Sequence, residues 1–171
     1  GGDGDAPPWA PRENGTVTTH TERYQAPPAR SEARHRAREA AVQMLYQWEV
    51  GRSSMPEVLE TFWLHDDAPT SRLSDGHRVF ATTLANGVVA AIINLDPVVA
   101  EATEHWRLER MNVIDRMILR LAVYELLYET ATPAPVIINE ALELAHTFSD
   151  ADGVRFVNGV LDAIRRRLER A

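Results

Sequence analysis

The residues in this chain best equipped to do chemistry are arginines. Between Arg30 and Arg38 four of them, Arg30, Arg34, Arg36 and Arg38, stand against a single acid, Glu32. The local charge is +3 in a chain of net charge −7, so everything outside the segment carries −10. A guanidinium is a planar fork that grips phosphate with two N–H groups and stacks on bases, which suits single-stranded RNA with its bases splayed. On a helix Arg34 and Arg38 fall one turn apart on the same side and Arg36 is displaced by about 200°, so the arginines are expected to flank the inward-facing Ala37, Ala41, Leu45 and Trp48. Cations at a helix start oppose the dipole, which makes four of them hard to explain by helix stability, although a solvated helix start is the plain alternative. A second cluster, Arg165-Arg166-Arg167 with Arg170, falls in the last turns of a helix, where the dipole favours cations and no ligand is needed to account for it.

Most other chemistry is absent. The chain has no Cys, which removes disulfides, thiolate metal sites and cysteine nucleophiles together. All eighteen basic residues are Arg, so Schiff-base lysines and the phosphate-binding lysine of a P-loop are excluded. The six histidines (His20, His35, His65, His77, His105, His146) are scattered, and none forms the helical pair with a Glu that a zinc hydrolase uses. No Gly-rich phosphate loop and no G-x-S-x-G elbow occurs. Glu125 and Arg120 interrupt the most apolar helix. Each needs a partner if ionised there, so a structural ion pair is expected, with a catalytic carboxylate at Glu125 as the sharper alternative lacking any second acid, metal ligand or nucleophile. The expectation is a protein that is not an enzyme, with no metal and no cofactor. No stretch approaches the 18 apolar residues of a membrane span and no basic-then-apolar signal layout opens the sequence, so a cytoplasmic protein without membrane contact is expected.

The elements that must carry the arginines are helices. At 171 residues, 44% apolar and 25% charged, the chain has room for one moderate domain with a real core and not for two large ones. Residues 1–30 hold five of the ten prolines and four of the nine glycines with hardly any aliphatic side chain, which predicts a flexible N-terminal arm. From 31 to 171 apolar residues recur at helical spacing and sustained two-residue alternation is missing, which predicts an all-α body of about seven helices. The first runs from Ser31 to about Val50 with Gly51 as its C-cap. Ser54-Met55-Pro56-Glu57 is a capping box opening a short helix to about His65, followed by a loop over 66–72. Ser74 starts a helix to about Leu95 with Val79, Phe80, Leu84, Val88, Ala91, Ile92 and Leu95 inward, and Asp96-Pro97 is expected to cap a separate helix ending near Trp106. Asn112 caps a helix to Tyr128 that is apolar nearly all round, the pattern of a central element enclosed by others. After Thr132-Pro133-Ala134-Pro135 come a helix to Phe148 and a last one from Asp152 to Arg170 that buries Phe156, Val160, Leu161, Ile164 and Leu168. The pairs Asn86-Gly87 and Asn158-Gly159 sit inside helical periodicity, where Gly costs roughly 1 kcal/mol, so close approach of a neighbouring backbone is expected at both.

Three segments resemble the NusB family of bacterial transcription antitermination factors. They are Ala33-Arg34-His35-Arg36-Ala37-Arg38-Glu39-Ala40-Ala41-Val42-Gln43-Met44-Leu45-Tyr46-Gln47-Trp48, Ile118-Leu119-Arg120-Leu121-Ala122-Val123-Tyr124-Glu125-Leu126, and Val136-Ile137-Ile138-Asn139-Glu140-Ala141 continuing to Phe156-Val157-Asn158-Gly159-Val160-Leu161-Asp162. The likeness spans residues 33 to about 168. It implies an all-helical fold of two packed subdomains, not an enzyme, that binds the boxA element of ribosomal-RNA leader transcripts together with NusE, a ribosomal small-subunit protein, and helps RNA polymerase read through terminators. By the same resemblance Arg34, Arg36 and Arg38 contact RNA, Tyr46 lies near the RNA and NusE edge, and Arg155 and Phe156 supply a cation and an aromatic ring for a phosphate and a base. Phe156 also lies on the apolar stripe of its helix and reads equally as core. His35 stands where the family often has another Arg, which implies either weaker phosphate binding or binding that rises at low pH. Asp115 and Asp152 match acidic positions associated with the NusE side and with complex formation, and read otherwise as carboxylates at helix N-termini. Family members occur as monomers and as dimers, so a homodimer is one assembly state the resemblance implies.

Two rivals share the helical body. One is the NusB-like amino-terminal domain of ribosomal-RNA cytosine methyltransferases; that enzyme needs a cysteine nucleophile, so on this reading the Cys-free chain is a detached RNA-binding module. The other is a helical adaptor that binds only protein through its acidic surface. A steep loss of RNA binding with salt separates the RNA readings from the adaptor.

Overall fold

The structure, a computed structural model, describes residues 30–64, 73–103 and 108–170. The expected arm over 1–30 and the loop over 66–72 lie outside the described residues, apart from Arg30. Six α-helices account for nearly all of what is described: α1 (Arg30–Gly51), α2 (Met55–Phe62), α3 (Asp75–Ala102), α4 (Val113–Tyr128), α5 (Ala134–Phe148) and α6 (Ala151–Glu169), with a 3-10 turn at Leu108–Arg110. Among the described residues there is no strand.

Local chemistry sets most boundaries. The Ser54 hydroxyl accepts from the Glu57 backbone N–H while the Glu57 carboxylate accepts from the Ser54 N–H, closing the capping box at the start of α2. Ser74, Asn112 and Asp150 cap α3, α4 and α6 by accepting from His77, Ile114 and Gly153. The end of α1 departs from expectation. Gly51 remains inside the last turn, and Arg52 takes the left-handed conformation at φ 51°, a strain on a side-chain-bearing residue.

Among the described residues there are six helices rather than the expected seven or so, because α3 runs straight through Asp96-Pro97. Pro97 removes one backbone donor and frees the carbonyl of Ile93. Both residues face solvent, Ile93 being 80% exposed, so water can satisfy the freed carbonyl. Leu95 and Val99 anchor the helix in the core on either side of the proline. Asp96 does not cap a new helix; its carboxylate accepts a fork of two bonds from Arg120, Nε to Oδ1 at 2.8 Å and Nη2 to Oδ2 at 2.9 Å. By length and composition the continuous α3 could cross a membrane. Here Ala81, Leu84, Ala85, Val88, Leu95 and Val99 of α3 are buried in the bundle. Its outer face differs from the expected stripe, since Val79 is 64% exposed.

Helix α4 is the central element. Every residue from Ile114 to Val123 is buried, with α1, α3, α5 and α6 packed around it. Ion pairs fix the directions. Arg38 of α1 meets Glu125 near the end of α4, and Glu49 of α1 meets Arg116 near its start, so these helices are antiparallel. Arg34 and Arg38 lie over Phe80 while the α1 carboxylate Glu49 reaches Arg120, the partner of Asp96, so α1 and α3 run parallel. Ser149 at the end of α5 donates to Asp115 at the start of α4, which makes α4 and α5 an antiparallel pair. Loss of any of these charges would leave its partner buried, because Arg116 and Arg120 are both enclosed.

The two Asn-Gly pairs part company. A Cβ on Gly87 would lie 2.3 Å from the ring and hydroxyl of Tyr124, so the glycine is required by close approach, of a side chain rather than of the expected backbone. A Cβ on Gly159 would meet nothing within 4 Å, and the packing expected there is absent. Leu168, expected inward, is 37% exposed.

Candidate nucleic-acid interface

The start of α1 is held by acids from three other turns of the molecule. Arg38 is only 2% exposed and its Nε sits 3.0 Å from both carboxylate oxygens of Glu125, with Nη2 2.8 Å from Oε1. Its Nη1 lies 3.8 Å from Glu140 of α5. Burial pushes the Glu125 carboxyl upward while the guanidinium pulls it back toward the charged form. Expected to flank the buried stripe and take phosphate, Arg38 instead belongs to the interior. Its side chain follows the same face as Ala37 and Ala41 because Glu125, the acid that interrupts the apolar helix, provides the partner that burial demands.

His35 is likewise committed. Its Nδ1 lies 2.5 Å from Glu140 Oε2 and its Nε2 lies 3.1 Å from Glu39 Oε1. The bonds to Glu39 and Glu140 outweigh partial burial and raise its pKa to about 9. The imidazolium is therefore charged throughout the neutral range, and its charge is spent on two carboxylates. Phosphate binding that rises below pH 7 through this residue does not fit, since no proton is taken up there.

Two arginines remain at the surface. Arg36 Nη2 reaches Glu32 Oε1 at 3.3 Å, one turn back on the same helix, in an exposed pair of the kind that contributes little and dissolves readily. Arg34 is half-buried with its Cζ 5.2 Å from the centroid of the Phe80 ring; the same ring carries Arg38 Cζ at 5.5 Å. No carboxylate pairs with Arg34 among the described residues. Of the four cations from 34 to 38, His35, Arg36 and Arg38 thus face Glu32, Glu39, Glu125 and Glu140, and sequence spacing did not connect the last two of these acids to them. Glu39 and Glu32 were discoverable as neighbours at helical spacing; Glu140 and Phe80 were not, because only folding brings α5 and α3 to this end of α1.

The remaining predicted residues lie toward the other end of α4. Asp115 is 5% exposed, accepts from the Ser149 hydroxyl at 2.7 Å and is raised by burial. It also crowds Gly153, at whose position a Cβ would lie 3.0 Å from Asp115 Oδ2. Asp152 is exposed and pairs with exposed Arg155 one turn on. Phe156 is half-buried against the core, so core packing and a free edge coexist in it. Tyr46 is half-buried on the core, one turn before Glu49, which pairs with Arg116. Arg34, Arg36 and Arg38 therefore gather at the Glu125 end, whereas Tyr46, Asp115, Asp152, Arg155 and Phe156 gather toward the Asp115 end, roughly 15 Å away along α4 at 1.5 Å per residue. Among the described residues no group of three His, Asp or Glu is placed to hold a metal ion.

Comparison with known proteins places this geometry in a family. The family model described as "NusB family" matches residues 35–166. The transcription antitermination protein NusB of Solibacter usitatus is 42% identical over 138 residues, covering 80% of this chain and 90% of the relative. A solved structure of T. maritima NusB superposes with a TM-score of 0.69 at 32% identity, over 78% of this chain and 90% of that one. A crystal structure of the antitermination factors NusB and NusE in complex with double-stranded RNA shares the fold, with a TM-score of 0.70 at 23% identity over 80% of this chain and 98% of the matched one. By sequence across most of its length and by the arrangement of its six helices, this chain is a member of the NusB family.

Proposed function

We propose that the chain is a cytoplasmic, non-enzymatic transcription antitermination factor that binds single-stranded boxA RNA of ribosomal-RNA leaders jointly with NusE and supports read-through by RNA polymerase. Family membership supports the reading, and the relatives it matches are named for antitermination. The observation that carries the RNA part is the state of Arg34 and Arg36: the first has no carboxylate partner among the described residues and the second has only an exposed one. Both can turn their N–H forks to phosphate without stripping a buried acid of its counter-charge. Arg38 and His35 act differently. They fix the helix that presents the two surface cations. RNA held there and extended along the bundle reaches Tyr46, Arg155 and Phe156 over a span of a few nucleotides, with Asp115 and Asp152 on the NusE side of the same end. In domain terms residues 31–171 are the RNA-binding body and 1–30 an extension to it.

Titration of boxA RNA over a salt series tests this. Binding weakens steeply with salt, Arg34→Gln and Arg36→Gln each lower the slope by about 0.7 to 1, and added NusE raises affinity. A slope that neither variant changes rejects the phosphate face. The neutralised surroundings of the cluster, with Glu32, Glu39, Glu125 and Glu140 beside it, favour the protein-only adaptor as the second reading. On that reading NusE binds and RNA does not.

A further inference from the structure

Among the described residues Phe80 is the one aromatic ring that touches the arginine cluster, and two guanidiniums share it, Arg34 at 5.2 Å and Arg38 at 5.5 Å from its centroid. Both distances fall within the roughly 6 Å over which a ring face attracts a cation. Arg34 and Arg38 are also like charges one helical turn apart, an arrangement that by itself pushes the more mobile side chain away. Arg38 cannot move, because Glu125 clamps it in the interior. Something must therefore keep Arg34 beside it, and among the described residues no acid does.

We propose that Phe80 is the positioning residue of the RNA site: its ring holds the half-buried Arg34 guanidinium in place through cation–ring attraction, leaving the N–H donors free for phosphate. This inference rests on the RNA-binding reading above. A carboxylate in the same role would occupy those donors and cancel the charge, as Glu32, Glu39, Glu140 and Glu125 do for their partners. A ring orders the side chain and consumes neither. Glu125 contributes indirectly, by neutralising Arg38 so that the two cations over the ring do not repel at full strength.

The test uses the full chain with boxA RNA and NusE. Phe80→Leu keeps apolar volume and removes the ring face; affinity falls about two- to fivefold, the range expected for an exposed cation–ring contact. The salt slope stays at the wild-type value because no charge is lost. Phe80→Trp restores or exceeds wild-type affinity, and in an Arg34→Gln background Phe80→Leu has no further effect. In the RNA-free protein, the side-chain protons of Arg34 show a ring-current shift in NMR that Phe80→Leu abolishes. Wild-type binding by Phe80→Leu, an equal loss in the Arg34→Gln background, or absence of the shift overturns the positioning role. A salt slope unchanged by Arg34→Gln overturns instead the phosphate reading beneath it, so the two failures are distinguishable. If Phe80→Leu melts early, Phe80→Trp and the ring-current measurement decide the matter without it.

Discussion

Replacing His35 by Gln removes a cation that two carboxylates hold, and the loss should depend on pH in a calculable way. In the folded protein the imidazolium titrates at about 9, against 6.5 for an unperturbed histidine. Because the folded value is raised, folding favours the protonated form. The stabilisation is fully present below about pH 6.5 and disappears as pH rises through 9. A shift of that size corresponds to about 3 kcal/mol at pH 5.5 by linkage, about 2 kcal/mol at pH 7.5 and about 0.2 kcal/mol at pH 9.5. The site is partly open to water, which makes these figures upper bounds. The assay is urea denaturation of wild type and His35→Gln at those three pH values, comparing midpoints at constant slope. The difference between the proteins should shrink steadily toward alkaline pH. A difference that is the same at pH 5.5 and 9.5 would refute the doubly bonded imidazolium, because a neutral histidine lost for its packing alone has no such dependence.

The buried pair of Arg38 and Glu125 gives a second expectation. Either Arg38→Met or Glu125→Leu alone leaves an uncompensated group inside and costs about 3–5 kcal/mol by chemical denaturation, whereas the double replacement Arg38→Met with Glu125→Leu costs clearly less than the sum. Additive losses would show that the two side chains act separately. The two glycines predict opposite signs in thermal melting. Gly87→Ala drives a methyl into Tyr124 and destabilises by about 1–3 kcal/mol, while Gly159→Ala enters open space on a helix and stabilises by roughly 0.5–1 kcal/mol.

Helix existence was legible because apolar residues repeat at helical spacing, and the starts at Ser54, Ser74 and Asn112 were legible because a cap is a local bond between a side chain and a backbone two or three residues away. What escaped was decided at a distance. Pro97 looked like a break, and the solvent-facing carbonyl of Ile93 and the grip of Arg120 on Asp96 are what allow α3 to continue. Gly51 looked like the left-handed residue, yet the chain turns one position later at Arg52. At the candidate site the cluster of cations could be read directly, and Arg34 and Arg36 are half-buried with part of each side chain in solvent. The fate of Arg38 could not be read, because its depth depends on Glu125 eighty-seven positions away. The same limit applies to His35, whose second acid comes from α5. Charge spacing identified where cations collect but not which of them remain uncommitted.

The notch at Gly87 reaches further than one helix contact. Tyr124, which fills it, stacks on Tyr128 with centroids 5.2 Å apart, and the Tyr128 hydroxyl accepts from the Asn94 amide at 3.2 Å. Positions 87, 124, 128 and 94 therefore form a closed circuit between α3 and α4. Drift at any one of them is constrained by the other three: a bulkier residue at 87 demands a smaller one at 124, which in turn strips the support from 128 and its link to 94. A redesign of α3 that enlarges position 87 must therefore also reckon with Tyr124 and with the ring stacked behind it.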